Sequence, residues 1–210
     1  MSGTREARER ELAAWYDGEV VRRAGRDLAG HRTAARDRFA AQLAAEHRRT
    51  VVEIGCGPGH DGAAFAAAGL AWSGVDLAPA SVAHCRGRGL DAHVAPVHAL
   101  PFADGAFAAG WSMSTLMHIA DADVDAALAE LVRVLEPGAP LAIGTWGAAV
   151  ASEGPMPVAE GAPRFFSLRT DDRWRAAVER HGTVEDWTTW ADPRPGDDSG
   201  WHYQWLVLRV

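Results

Sequence analysis

The sequence predicts an α/β fold in which a mostly parallel sheet of seven strands carries helices on both faces. Three observations support it: apolar segments with strand and helix periods alternate over residues 50–146, a glycine-rich turn follows the first of them, and two strand-like segments close the chain. Such alternation is typical of parallel strands joined by right-handed crossovers. The loop between the last two strands is too short for a useful helix, so we expect an antiparallel final strand.

An N-terminal helical cap is predicted before the sheet. Residues 4–49 contain few helix breakers, and apolar residues recur among charged ones, with glycines that divide the segment into two or three helices. The next predicted elements are a strand over 51–54, a helix over 60–68, a strand ending at Asp76, a helix over 79–88 and a short strand over 92–96.

The second half of the chain continues the alternation. We predict a strand over 107–112, an amphipathic helix over 123–135 and a strand over 141–146. Residues 147–163 are rich in glycine, proline and alanine and predict a loop, followed by a helix over 170–180 and strands over 183–190 and 201–209. We expect one domain over residues 1–210, with a helical cap (1–49), an α/β core (50–146) and a C-terminal segment of loop, helix and closing hairpin (147–210).

Composition and charge argue against several classes of function, nucleic-acid and membrane binding among them. The net charge is −7, and residues 51–210 carry 10 arginines against 20 acidic residues, which argues against a protein that grips a phosphate backbone. No run of eighteen apolar residues occurs, the N-terminus lacks the apolar region of a signal peptide, and the two cysteines make no disulfide framework. We therefore expect a cytoplasmic protein that binds neither nucleic acid nor membrane.

The turn after the first strand is the most informative segment. Residues 51–59 read VVEIGCGPG, with glycines at alternate positions, whereas a dinucleotide site normally spaces them as G-x-G-x-x-G. Glu53 would repel a pyrophosphate but suits a ligand with an ammonium group. The second strand ends at Asp76, which is placed to accept hydrogen bonds from ribose hydroxyls. The spacing therefore counts against an NAD-dependent oxidoreductase.

This pattern of Glu53, three alternate glycines and Asp76 resembles the class I methyltransferases, Rossmann-like enzymes that bind S-adenosylmethionine. Two further segments carry the resemblance: LPFADGAF at residues 100–107 is similar to a signature before the fourth strand, and LVRVLEPG at 131–138 to a turn before the fifth. Together the matches run in order through residues 51–146.

The resemblance implies a set of cofactor-binding residues. The glycine backbone would pass under the methionyl and ribose parts, Glu53 would balance the amino group, and Asp76 would bind the ribose diol. Many relatives carry an acid where Pro96 stands, so the amide of Val97 or the His98 side chain is expected at adenine; an ordinary surface role for His98 stays open. The full set is Glu53, Gly55, Cys56, Gly57, Gly59, Asp76, Leu77, Val97, His98, Ser112 and Met113.

His118 is the candidate general base, because an imidazole can take a proton from a hydroxyl or ammonium nucleophile; simple packing at a helix start is the alternative. Tyr16 is the second candidate catalytic residue. Together with Trp15 it forms an aromatic pair that resembles the one closing over the cofactor in this family. Methyl transfer itself depends mostly on alignment of the reacting atoms. No cysteine or histidine cluster has metal-ligand spacing, so no metal is expected.

Aromatic residues in the cap and the C-terminal segment predict a flat, partly apolar small-molecule acceptor, methylated at oxygen or nitrogen. Two alternatives remain: an enzyme of the same fold that cyclises or cleaves the sulfonium, and a non-catalytic nucleotide-binding module. The oligomeric state is not encoded in any pattern here. The candidate acceptor-binding residues are Trp15, Arg164, Phe165, Phe166 and Tyr203.

Overall fold

The computed structural model describes residues 4–157, 163–191 and 200–210. Their helices are α1 (Arg5–Ala24), α2 (Gly30–Ala45), α3 (His60–Ala67), α4 (Pro79–Gly87), α5 (Val124–Arg133) and α6 (Asp171–Val178). Their strands are β1 (Thr50–Ile54), β2 (Ala71–Asp76), β3 (Asp91–Val94), β4 (Gly110–Met113), β5 (Pro140–Ala148), β6 (Ser152–Met156), β7 (Arg164–Leu168), β8 (Thr183–Ala191) and β9 (Trp201–Arg209).

The main sheet has seven strands in the order β3-β2-β1-β4-β5-β9-β8. Strands β1 to β5 run parallel, and β9 inserts antiparallel between β5 and β8. The predicted seven-stranded α/β sheet with a reversed last strand is therefore confirmed. Because the strand order reverses at β1 and β4, the loops after these two strands diverge and leave a crevice at the carboxyl edge of the sheet.

Apolar residues cover both faces of the sheet. On one face, Val52 and Ile54 of β1 pack in a core with α5 and α6, which contribute Leu128, Leu131 and Trp174. Val51 lies on the opposite face, because successive side chains of a strand alternate. The core of that face is completed chiefly by Phe39 and Leu43 of α2, Phe65 of α3 and Trp111 of β4.

The segment predicted as a loop over residues 147–163 contains a strand, so that prediction was wrong. Strand β6 pairs antiparallel with β7 in a separate two-stranded sheet, and Pro155 lies opposite Phe165. Its glycine and proline suggested a loop, but a strand with a free edge tolerates a proline that a central strand would not. Residues 158–162 of the predicted loop lie outside the described residues.

Helix α1 lies against the carboxyl edge of the sheet rather than in its core, and none of its residues is fully buried. The Asp17 carboxylate accepts a hydrogen bond from the backbone N–H of Ala80 at the start of α4, at 2.7 Å. Nearer its N-terminus, Arg8 forms an ion pair of 2.8 Å with Asp123, just before α5. The cap thus spans the crevice and contacts elements on both sides of it.

Candidate functional site

The turn between β1 and α3 requires glycine for two separate reasons. Gly55, Gly57 and Gly59 all have positive φ angles, of 74°, 51° and 78°, a region that residues with a Cβ rarely adopt. A Cβ at Gly55 would overlap the side chain of Thr115, and one at Gly59 would lie 2.8 Å from the sulfur of Cys85. The alternate spacing found in the sequence therefore follows from backbone conformation and close packing.

Asp76 ends β2 and holds this turn in place. One carboxylate oxygen accepts a hydrogen bond from the backbone N–H of Gly57 at 2.8 Å, and the other from Ala78 at 2.9 Å. Burial raises the pKa of Asp76, although both backbone N–H groups oppose that shift. Each oxygen keeps acceptor capacity beyond its backbone bond, as a contact with ribose hydroxyls requires.

Glu53 lies in β1, two residues before the first glycine of the turn, and is 1% exposed. Its carboxylate accepts a hydrogen bond of 2.9 Å from the indole N–H of Trp72. Burial raises the pKa of Glu53 well above its ordinary value, and the nearby Asp61 adds to the rise. The predicted role of Glu53 at a ligand amino group stays a prediction.

Asp61 belongs to a buried polar cluster that the sequence analysis did not single out. Its carboxylate pairs with Arg32 of α2 at 2.7 Å and accepts a bond of 3.1 Å from the indole N–H of Trp111. Arg36 approaches the same carboxylate at 3.5 Å. This cluster fixes α2 beside the glycine turn; in the sequence, Asp61 is an ordinary acid in the first turn of a helix and gives no further signal.

Tyr16, His118 and Arg164 are joined by hydrogen bonds across the crevice. The Nδ1 atom of His118 is 2.7 Å from the carbonyl oxygen of Phe165, which can only accept, so Nδ1 carries the proton. The Nε2 atom, 2.9 Å from the Tyr16 hydroxyl, then accepts from Tyr16 when the imidazole is neutral. Arg164 in turn donates to the Tyr16 oxygen at 2.7 Å.

Burial keeps the imidazole of this network neutral. It lowers the pKa of His118 to about 4, and the positive charges of Arg164 and Arg23 act in the same direction, while the Phe165 carbonyl opposes them. Burial also raises the pKa of Tyr16, against the influence of the same two arginines. At neutral pH the structure therefore holds a neutral imidazole hydrogen-bonded to a protonated phenol.

A pH dependence of stability follows from His118. Its pKa is lower in the folded state than in the unfolded one, so between the two values the unfolded chain binds more protons. The stabilisation is present above the unfolded pKa and is lost as the pH falls toward the folded pKa. Going from about pH 7.5 to about pH 5 should cost about 2 kcal/mol through this residue.

Urea unfolding of the wild type and His118→Asn at both pH values measures the loss of free energy of unfolding that is due to His118. His84→Asn on α4 is the matched control. The wild type and His84→Asn should lose about 2 kcal/mol more than His118→Asn. Equal losses in all three would mean that His118 is not buried as a neutral imidazole.

A cavity of about 480 Å³ lies between α1 and the sheet edge. Its lining includes the residues expected at adenine, of which His98 pairs through its ring with Glu9 at 3.2 Å. The lining also includes His118 and Arg164 of the hydrogen-bonded network, but not Tyr16. The predicted site residues among its lining are Trp15, Leu77, Val97, His98, His118, Arg164 and Phe165.

Other predicted site residues do not line this cavity, and their roles stay predictions. Ser112 is fully buried and donates to the Ile54 carbonyl at 3.1 Å. Met113 is 3.7 Å from the Tyr203 hydroxyl, with both side chains buried. Cys56 and Phe166 are also buried, in separate apolar clusters, and Asp76 and the three glycines lie outside the cavity lining.

A comparison with protein families finds a match over the middle of the chain. Residues 51–138 match a family model described as a methyltransferase domain. The match covers the glycine turn, Asp76 and both additional signatures, so the resemblance of these residues to methyltransferases, predicted from those motifs, is confirmed. No curated protein matches the sequence.

Solved structures share the fold of this chain at low sequence identity. An N1-methyltransferase of 1,6-didemethyltoxoflavin from Burkholderia thailandensis has a TM-score of 0.74 at 22% identity, covering 100% of this chain and 91% of the other. A geranyl diphosphate C-methyltransferase from Streptomyces coelicolor A3(2) gives 0.68 at 15%, covering 96% and 97%. The [4+2]-cyclase SpnF gives 0.70 at 18%, covering 96% and 95%.

The described residues contain neither a metal-binding cluster nor a membrane-spanning helix. In residues 4–157, 163–191 and 200–210, no three histidine, cysteine or acidic side chains are grouped so that they could hold a metal ion. Within the same ranges, no helix combines the length and apolar character needed to cross a membrane.

Proposed function

We propose that this protein is a methyltransferase that binds S-adenosylmethionine and transfers its methyl group to an oxygen or nitrogen of a small, partly aromatic molecule. The observation that carries the proposal is the Tyr16–His118 pair, because it joins a neutral imidazole that lines the cavity to a phenol through a hydrogen bond of 2.9 Å. That pair is suited to taking a proton from a hydroxyl or ammonium acceptor.

Cofactor binding is supported by the carboxyl edge of the sheet. Asp76 has acceptor capacity left for a ribose diol, and the glycine turn allows close approach of a ligand to the backbone. Leu77, Val97 and His98 all line the cavity, which supports the proposal that adenine binds there. Two proteins with a similar fold were solved with S-adenosylhomocysteine bound.

When bound, S-adenosylmethionine supplies an electrophilic methyl group on a sulfonium. The protein's main contribution is to hold the acceptor in line with that methyl group and to exclude water, and α1 is positioned across the crevice to do both. The acidic main body of the chain supports a small-molecule acceptor over nucleic acid. The two free, buried thiols support the predicted cytoplasmic location.

Proton removal follows the hydrogen bonds of the network. An acceptor hydroxyl or ammonium next to Tyr16 gives its proton to the phenolic oxygen, while Tyr16 passes its own proton to Nε2 of His118. Arg164 donates to the same phenolic oxygen and stabilises negative charge on it. The Phe165 carbonyl, which accepts from Nδ1, stabilises the imidazolium that forms.

Removing either member of the pair should slow turnover without abolishing cofactor binding. We expect Tyr16→Phe and His118→Asn to lower kcat about 100-fold, the typical contribution of a general base, once an acceptor has been found in a small-molecule screen. Affinity for S-adenosylhomocysteine should stay within about threefold in both variants. His84→Asn is the matched control and should keep wild-type turnover.

The outcome of the screen separates this proposal from its alternatives. Full kcat in Tyr16→Phe and His118→Asn would contradict the proton-transfer role. Consumption of S-adenosylmethionine with no acceptor present would favour an enzyme that cyclises or cleaves the sulfonium. Binding without any turnover across the screen would favour a nucleotide-binding module.

A further inference from the structure

Arg164 begins β7 and extends its guanidinium into the cavity under α1. The guanidinium carbon lies 4.0 Å from the centre of the Trp15 ring, with the Tyr16 ring at 5.4 Å and the Phe166 ring at 5.2 Å on other sides. Such packing against ring faces fixes the orientation of a planar cation. The aromatic rings therefore hold the Arg164 side chain in one orientation before any ligand binds.

Within the described residues, no carboxylate lies within ion-pair distance of Arg164. One terminal nitrogen donates to the Tyr16 hydroxyl at 2.7 Å, and the Nε–H is buried without a hydrogen-bond partner. A guanidinium has five N–H donors in a planar fork, so the fork retains unused donors. A partly buried cation with unsatisfied donors is unfavourable until an anion meets it.

Most other charges around the cavity are already balanced. Arg8 pairs with Asp123 at 2.8 Å, and His98 pairs with Glu9 at 3.2 Å. Glu11 is exposed at the rim. Arg5 adds positive character, because its Nε is also buried without a partner and its carboxylate neighbour, Glu6, is 4.0 Å away. The lining therefore holds three arginines and three carboxylates, and the unbalanced positive charge is local to Arg164 and Arg5.

We propose that the acceptor carries an anionic group, a carboxylate or a phosphate ester, that binds the guanidinium of Arg164. The fork geometry of a guanidinium matches the paired oxygens of either group. The aromatic body of the acceptor then packs on Trp15 and Phe165, next to the Tyr16–His118 pair. This inference rests on the proposed function, since it names the acceptor class of the same site.

Matched ligand pairs test it on the full-length protein saturated with S-adenosylhomocysteine. The probes are 4-hydroxybenzoate against 4-hydroxybenzamide and phenyl phosphate against phenol, titrated calorimetrically. Wild-type protein should bind at least one anion about tenfold or more tighter than its neutral partner, and Arg164→Gln should lose that preference. The control Arg10→Gln removes a charge from an exposed position of α1 outside the cavity and should keep it.

Titration of S-adenosylhomocysteine alone keeps this inference distinct from the proposed function. Unchanged affinity in Arg164→Gln would show that the variant folds and that Arg164 does not hold the cofactor. Equal binding of acids and neutral partners, no binding of any probe, or an anion preference that survives in Arg164→Gln would overturn the anionic acceptor and leave the proposed function intact. If Arg164→Gln lost affinity for S-adenosylhomocysteine while the wild type and Arg10→Gln kept it, the guanidinium would be assigned to the cofactor carboxylate. That result would also overturn the anionic acceptor. Failure of the wild type to bind S-adenosylhomocysteine would remove both proposals.

Discussion

Asp76→Ala is expected to weaken binding of S-adenosylhomocysteine about tenfold or more. Two losses add in this variant. The ribose hydroxyls lose their carboxylate acceptor, and the backbone N–H groups of Gly57 and Ala78 lose the oxygens that hold the glycine turn in place. Calorimetric titration of the variant and the wild type measures the change directly.

Asp91→Ala is the matched control, because Asp91 is an exposed carboxylate on the neighbouring strand β3 and bonds to Ser73. It should bind S-adenosylhomocysteine like the wild type. A comparison of thermal unfolding identifies any general loss of structure in Asp76→Ala. Wild-type affinity in a folded Asp76→Ala protein would place the ribose site elsewhere.

Gly55→Ala is expected to lower the free energy of unfolding by about 3 kcal/mol. The new methyl group would overlap Thr115, whose hydroxyl bonds to the Ile54 carbonyl at 3.3 Å, so neither side can move without cost. The φ angle of 74° adds strain of its own. Urea unfolding measures the loss, and cofactor affinity should fall with it because the turn must shift.

Gly57→Ala separates these two causes. Gly57 lies in the same turn with a φ angle of 51°, but a Cβ there would meet no atom within 4 Å. This variant should lose about 1 kcal/mol, the strain alone. If both variants lost the same amount, contact with Thr115 would not be the reason that Gly55 is required.

The features predicted best from the sequence are those determined by local pattern. Strand β1 is an apolar run with Glu53 next to its end, strand β2 is an apolar run that ends at Asp76, and the turn between β1 and α3 has glycines at every position with positive φ. Backbone conformation and strand burial act over a few residues, so their signal is present in the sequence itself. The order and direction of the strands follow from the connections between them.

Long-range contacts were not predictable in the same way. The bond between Tyr16 and Arg164 joins residues 148 positions apart, and the Tyr16–His118 bond joins residues 102 apart. Each of the three residues was predicted separately as a site residue, but nothing in the sequence indicated that hydrogen bonds join them. Strand β6 was missed because its partner β7, and not its own composition, makes it a strand.

Calorimetric titration of the unmodified protein with S-adenosylmethionine, S-adenosylhomocysteine and NAD tests the central claim most directly. Mass spectrometry of each mixture afterwards shows whether the nucleotide has been converted. We expect micromolar affinity for the two sulfur nucleotides, none for NAD, and intact S-adenosylmethionine until an acceptor is added. If neither sulfur nucleotide bound, the proposal that this protein uses S-adenosylmethionine would be contradicted.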